Sequence, residues 1–304
     1  MYSIAKPFLL HAITSVHAGS GSEIGIVDLP IQREKHTNYP KIESSSLKGA
    51  LRSHFEMDPE VDESKLELVF GSKPDKNKEN TDNENNTQAS AIAFSDARLL
   101  LFPIRSLKGV FVWITCPQVI NRFNDDLTAF TQDLSIEKLE VPKENTVSSD
   151  LMMVGGNKIV LEEYTFSVTI DEKTQKLAKQ LEKLIGDALT VDLASRIVVL
   201  SDNDFANFVT FSTEVNARVK IGETGTVDSG ALWYEENVPP ETMFYSYLFI
   251  GNVRGNGTKD LSTSEQVQQF MKNHMPSVFQ LGGNYTIGKG IMRTIWLDRG
   301  DNDE

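Results

Sequence analysis

A single cysteine, Cys116, stands in a chain of 304 residues, so no disulfide can form within it. It lies in the apolar run GVFVWITCP, which reads as a strand, and a buried free thiol is expected there in place of a nucleophile. No apolar run reaches the roughly 20 residues that a helix needs to cross a bilayer. The N-terminal MYSIAKPFLLHAITSVHAG has one lysine and polar interruptions, a strand pattern and not the core of a secretion signal. A cytoplasmic protein with no membrane partner is expected. Basic residues are also in the minority: 30 Lys and Arg face 43 Asp and Glu, a formal net charge of -13. That balance works against indiscriminate polyanion binding, because the whole surface repels the ligand. Part of the acid sits in the polar stretch 73–90 and in the tail Asp301-Asn302-Asp303-Glu304, neither of which can build a core. A local basic groove therefore stays open.

Cofactor signatures are missing too. No Cys/His cluster has zinc spacing and no G-x-S-x-G elbow occurs. Gly19, Gly21 and Gly25 are followed by polar loop and not by a helix, which rules out a dinucleotide fingerprint. In GGNYTIGKG, Gly283, Gly288 and Lys289 match the spacing of a phosphate-binding P-loop. Gly290, however, replaces the hydroxyl residue that would hold magnesium, and no long helix follows. No organic cofactor is expected. A glycine-rich loop lying against a sugar-phosphate backbone keeps its sense, with Gly282, Gly283, Gly288 and Gly290 allowing close approach and Lys289 and Arg293 as cations.

The apolar patterning predicts a strand over 4–13, a long loop, and a helix over about 47–54 with N-cap chemistry from Ser44-Ser45-Ser46. The stretch 73–90, whose only aliphatic residue is Ala89, reads as an exposed, disordered insertion. Strands over 91–102 and 109–115 form a hairpin joined by PIRSLK, and a helix follows over 120–130. In the loop-rich 131–160, Met152 to Gly156 reads as a flexible apolar tip. A strand over 163–170, a helix over 172–189 and a strand over 196–200 come next. Then follow a protruding β-hairpin over 213–234, a strand over 243–251, a helix near 265–273 and two closing strands around 282–290. Strand, helix, strand, strand, helix is most of a split β-α-β-β-α-β unit. The expected fold is therefore α+β, a ferredoxin-like (RRM-like) palm with large insertions, in one elaborated domain spanning 1–304.

Candidate chemistry gathers between Thr14 and Arg52. Asp28, in GIVDLPIQRE, is either a turn cap or a general base or metal ligand in reach of a substrate. His17, at a strand end, is either packed or catalytic. Lys48 and Arg52 are four apart and share a helix face. With Ser46 at the helix start and Gly49 leaving room, that face could hold phosphate, or it is an ordinary solvated basic face. Tyr234 and Glu235, in WYEENVP, form either a second wall of an active site or a solvated turn.

Five segments in order, HAGSG, GIVDLPIQREKHTNYPKIESSSLKGALR, FSDARLLLFPIRSLKGVFVWITCP, GALWYEENVP and LGGNYTIGKG, resemble the backbone subunits of type III-B CRISPR effectors, the Cmr complexes, within the RAMP superfamily. The resemblance covers nearly the whole chain except 73–90 and the acidic tail. It implies a ferredoxin-like palm, copies stacked head-to-tail along a guide RNA beside other Cmr subunits, and endonucleolytic cleavage of complementary target RNA at regular intervals. The family's catalytic aspartate falls on Asp28, which would also be the ligand of a divalent metal, Mg or Mn. His17, Glu235 and Tyr234 match a histidine, an acid and an aromatic of the same site, and the 213–234 hairpin resembles a thumb that wedges between bases. Lys48, Arg52, Lys289 and Arg293 would hold the guide backbone without reading sequence. Two alternatives stand beside this: a non-catalytic backbone that only binds guide RNA, and a nuclease that matures the guide.

Overall fold

A computed structural model describes residues 2–22, 25–73, 87–131 and 136–297. In chain order it builds strands β1 (Ile4–Ala12) and β2 (Lys41–Ile42), helices α1 (Ser44–Glu56) and α2 (Glu63–Phe70), and strands β3 (Ile92–Phe94), β4 (Ala97–Ser106) and β5 (Val110–Thr115). Helix α3 (Pro117–Phe130) and the short strands β6 (Thr146–Val147), β7 (Lys158–Leu161), β8 (Tyr164–Ser167) and β9 (Thr169–Ile170) follow. Then come helix α4 (Glu172–Ile185), strand β10 (Ile197–Val199) and helix α5 (Asp202–Phe211). The chain closes with β11 (Glu214–Ile221), β12 (Val227–Asn237), β13 (Met243–Ile250), α6 (Ser264–His274), β14 (Val278–Gln280) and β15 (Ile291–Trp296).

The apolar run of β1 is central. Phe8 to Ala12 are buried without alternation, as a strand covered on both faces requires. Its neighbours come from the far end of the chain: β13 on one side (Phe8 opposite Ser246) and β15 on the other (Leu10 opposite Thr294), both antiparallel. The sequence order had suggested that 91–115 and helix 120–130 complete the unit begun by β1. The hairpin β4–β5 does form, with Phe102 opposite Ile114, but β13 inserts between β1 and β4. Adjacency in sequence gave way to a long-range pairing that buries two largely apolar strands side by side.

Local differences have local causes. Helix α1 starts at Ser44 behind Glu43, which makes no side-chain cap; the serines occupy the first turn instead, and Asp96 Oδ1 accepts the Ser44 N–H at 2.9 Å. The unexpected α2 and α5 begin on side-chain caps, Asp62 accepting from Lys65 N–H and Ser201 from Asp204 N–H. The expected strand 163–170 forms as two pieces, β8 and β9, parted at Val168, and a turn just ahead of it, with Glu162 at φ +50°, lets β7 and β8 pair as a hairpin. Met152 is not at a flexible tip: it is buried, and lies so close to Gly109 that a Cβ there would collide with it. The insertion read at 73–90 lies mostly outside the described residues, as does the acidic tail. Among the described residues, no helix is long and apolar enough to cross a membrane.

Cys116 is fully buried and unpaired, as expected, and burial pushes its thiol up to about 12. In native buffer at pH 8 it should resist alkylation by iodoacetamide and react fully only in denaturant, which mass spectrometry of the intact chain reads directly.

Candidate active site

The chain leaves β1 at its C-terminal end, and the loop that follows is stitched to β12. Val16 and Val238 exchange backbone hydrogen bonds at 2.9 Å. Further on, Asp28 and Leu29 both donate their N–H to the Tyr234 carbonyl at 3.1 Å, and Leu29 accepts from Glu236 N–H. Each residue of IQRE then has a separate job. Ile31 is buried. The Gln32 side chain bridges Gly19 O and Ser46 Oγ and accepts from Glu43 N–H, tying the loop to the start of α1. Arg33 pairs with Glu236 at 2.5 Å, and Glu34 is buried against Arg122 at 2.7 Å.

Two side chains with acid–base capacity hang on this frame. Asp28 Oδ2 accepts the Tyr234 N–H at 2.7 Å, so the carboxylate is indeed a cap, across the loop–hairpin junction. It is only partly buried, and Oδ1 accepts no hydrogen bond from the described residues. His17 Nδ1 lies 2.7 Å from the Glu236 carbonyl. A carbonyl only accepts, so Nδ1 carries the proton and Nε2 is left for other work. Tyr234 N and Glu236 O are two residues apart on one strand, about 7 Å at strand rise. The two groups are thus fixed to the same short piece of β12.

The glycine-rich loop forms the adjoining wall. Gly283 N–H donates to His17 O at 2.9 Å and Gly290 N–H to Ser15 O at 2.8 Å. Gly282 (φ +85°) and Gly290 (φ +78°) admit no side chain: a Cβ would strike the His17 carbonyl in the first case and the Leu281 carbonyl in the second. A Cβ on Gly283 would sit 3.3 Å from the His17 ring, and one on Gly19 only 2.7 Å from Nε2, so the imidazole occupies a slot between two glycines.

Glu235 comes to this site but is already engaged. It is 3% exposed, accepts from Asn284 Nδ2 at 2.7 Å and Lys289 Nζ at 3.3 Å, and has Arg218 Nη2 at 3.6 Å. Burial works against its charge, yet the Asn284 hydrogen bond and the positive potential of His17 and Lys289 outweigh it and hold the carboxyl below its ordinary range. A carboxyl depressed in the fold adds stability that is present above its unfolded value and lost as pH falls through the folded one. Glu235→Gln should therefore cost about 1–2 kcal/mol at pH 7. It should also flatten the acid limb of a melting-temperature profile below about pH 4.5, where the native chain loses this contribution.

The remaining expected residues fall elsewhere. Tyr234 offers its backbone to Asp28 while its ring stays exposed. Lys48 is turned inward onto Ser90 Oγ (2.8 Å) and the Ile92 carbonyl, and burial lowers its ammonium below the usual range, with Arg52 adding to the effect. Arg52 donates to the Gly71 carbonyl at 2.5 Å and to Glu56 at 3.1 Å. The face expected to hold the guide backbone, or else to be solvated, is instead a pair of struts, while Gly49 between them stays open. Gly288 is open too. Arg293, on β15 opposite His11, donates to the Ala188 carbonyl and lines a cavity of about 450 Å³ with His11 and Glu241, apart from Lys289 in its contacts. Arg218, Asn284, Gln32 and Arg33 went unnoticed in the sequence, and Glu236 was read only as one of two paired acids beside aromatics. Only the QRE run, standing directly after the apolar IVDLPI, could have signalled some of them.

A partly open carboxylate, an imidazole of fixed tautomer and a glycine-rich wall on an α+β sheet define a class of chain before any particular member. From residue 9 to 293 the sequence matches the RAMP superfamily, and the chain belongs to that family. Within it, the CRISPR system Cmr endoribonuclease Cmr4 of Pyrococcus furiosus is 37% identical over 288 residues, 93% of this chain and 92% of that protein. The CRISPR system CMR subunit Cmr4 of Saccharolobus solfataricus is 29% identical over 98% of each chain. Among solved structures, oligomeric Cmr4 from Pyrococcus furiosus superposes with a TM-score of 0.70, at 29% identity, over 97% of this chain and 98% of that one. A chain of the type III-B Cmr-beta complex bound to cognate target RNA does so with 0.73, at 26% identity, over 97% and 98%. The resemblance to the Cmr backbone subunits read from the motifs is borne out.

Proposed function

We propose that this chain is the backbone subunit of a type III-B CRISPR effector, stacking head-to-tail with its own copies along a guide RNA and cutting the complementary target RNA at regular intervals in the cytoplasm. The core supports a ferredoxin-like palm: the order β15-β1-β13-β4 is antiparallel throughout, α1 joins β1 to the β4 side, and α6 follows β13. On that reading the segment between β4 and β13 is the insertion, and β11–β12, a separate two-stranded sheet, is the thumb. Guide contact is proposed where nothing crowds the backbone, at Gly49 on α1, with Ser46 nearby, and at the tip around Gly288.

The observation that carries the enzymatic reading is the joint anchoring of Asp28 and His17 to β12. RNA brings its own nucleophile, so the site has only to take and give a proton. Asp28 accepts the proton of the 2′-OH as its oxygen bonds to phosphorus, and the bond from phosphorus to the 5′-oxygen breaks. His17, protonated on Nε2, delivers a proton to that departing oxygen. The products are a 2′,3′-cyclic phosphate and a 5′-hydroxyl.

Metal dependence is part of the proposal. Among the described residues no three His, Cys, Asp or Glu side chains gather as a metal cage, and Asp28 supplies one carboxylate. A single carboxylate suits a largely hydrated Mg or Mn ion, which Asp28 would hold. Such an ion, when bound, neutralises charge on the phosphate.

The test is cleavage of guide-paired target by the reconstituted complex, with and without chelator. Cuts at a constant spacing that chelator abolishes support the reading. An assembled complex that leaves the target whole favours the non-catalytic backbone, and cutting of repeat RNA by the free chain favours guide maturation. The net charge of -13 adds an expectation: one free copy should bind RNA far more weakly at physiological salt than the assembled array does.

A further inference from the structure

We propose that Arg218, anchored by the buried Glu235 and flanked by Lys289, is the group that holds the scissile phosphate of the target strand; this rests on the endoribonuclease reading above. Residue 218 is the third inward position of β11. It pairs across the hairpin with Trp233, and Asn216, two residues back on the same face, pairs with Glu235. Arg218 therefore reaches Glu235 diagonally, with Nη2 3.6 Å from Oε1. That nitrogen makes no hydrogen bond, although it is buried. The side chain keeps 28% of its surface open, against 15% for Lys289. Arginine is thus held at Nη2 beside Glu235 while part of its side chain stays open, where a remaining N–H can donate to a phosphate oxygen.

Charge points the same way. Arg218 and Lys289 bring two positive charges to Glu235, which carries one negative charge, so the cluster holds a surplus of one cation. In a chain of net charge -13, a local positive centre around Glu235, on the strand whose Tyr234 N–H Asp28 caps, is what an incoming phosphodiester needs. The next cation along β11, Lys220, is tied to Asp228 at 3.3 Å and is not comparable. Glu235 becomes a positioning residue: it sets the guanidinium and the ammonium in place and touches no reacting atom.

The experiment uses the reconstituted effector with guide-paired target, comparing wild type, Arg218→Gln, Arg218→Lys and Asp28→Asn. Single-turnover rates at saturating target, target affinity and melting temperature are measured together. Arg218→Gln should slow cleavage about 10²-fold, the usual loss for one preorganised donor to a developing oxyanion. Affinity should change less than about threefold, because base pairing holds the target. Arg218→Lys should recover at least about tenfold of the loss, since the charge returns without the planar guanidinium. Arg218→Gln cutting within about threefold of wild type while Asp28→Asn is inactive overturns the inference and leaves the endoribonuclease reading intact. A loss that Lys does not relieve and that tracks a fall in melting temperature also overturns it, because Arg218 is then a strut. If Asp28→Asn cuts at the wild-type rate, the endoribonuclease reading fails and the inference falls with it.

Discussion

Asp28→Asn should leave the effector assembled and lower target cleavage by about 10²–10⁴-fold, the range set by removing a general base. Asparagine is the informative replacement because Asp28 has two separable jobs. Its Oδ2 accepts the Tyr234 N–H at 2.7 Å, and an amide oxygen can do the same. Only the charge and the capacity to take a proton are lost. Asp28→Ala removes both, and should add a loss of about 1 kcal/mol for the missing cap. The two variants therefore separate chemistry from architecture. Equal loss of cleavage, with a lowered melting temperature in the alanine variant alone, supports the catalytic reading. Cleavage by Asp28→Asn within threefold of wild type, beside a defective Asp28→Ala, would reduce Asp28 to the turn cap that the sequence alone allowed.

Asp28 also marks how much of the site could be read without coordinates. Of the two readings of Asp28, the cap is what the structure shows, and the catalyst is what we propose. The longer strands, the β11–β12 hairpin and α4 follow from periodicity, which is local. Partner choice is not local: nothing in FLLHA states that β13 and not β4 lies beside β1, because any largely apolar strand would fit. Charged side chains were misread for a related reason. Four-residue spacing places Lys48 and Arg52 on one helix face, but it cannot say whether that face meets solvent or the carbonyls of Ile92 and Gly71. Arg218 was invisible because its partner lies across a hairpin, and register decides which side chains meet. Glycines were more legible in kind than in detail. A rich glycine loop was seen to need close approach to something, and the closest approach turns out to be to the chain's own His17 segment.

Gly290→Ala tests that last point, with the largest expected effect on stability. Gly290 stands at φ +78°, where an L side chain costs about 1–3 kcal/mol. Its Cβ would also run into the Leu281 carbonyl, which cannot move freely because Leu281 N–H donates to Gly290 O at 2.8 Å. Overpacking against fixed backbone adds about 1–3 kcal/mol, so a total of about 2–6 kcal/mol is expected. The disturbance cannot stay local. Gly290 N–H holds Ser15 O, and Gly283 N–H holds His17 O, so the turn and the histidine segment are joined at both ends. Gly290→Ala should therefore lose cleavage along with stability. Gly288→Ala, also at positive φ (+78°) but in open space, should incur only the backbone strain. Thermal melts of both variants give the comparison. Equal losses would mean that strain alone matters; a substantially larger loss for Gly290→Ala would show that the glycine is kept for the carbonyl it lies against, and through it for the placement of His17.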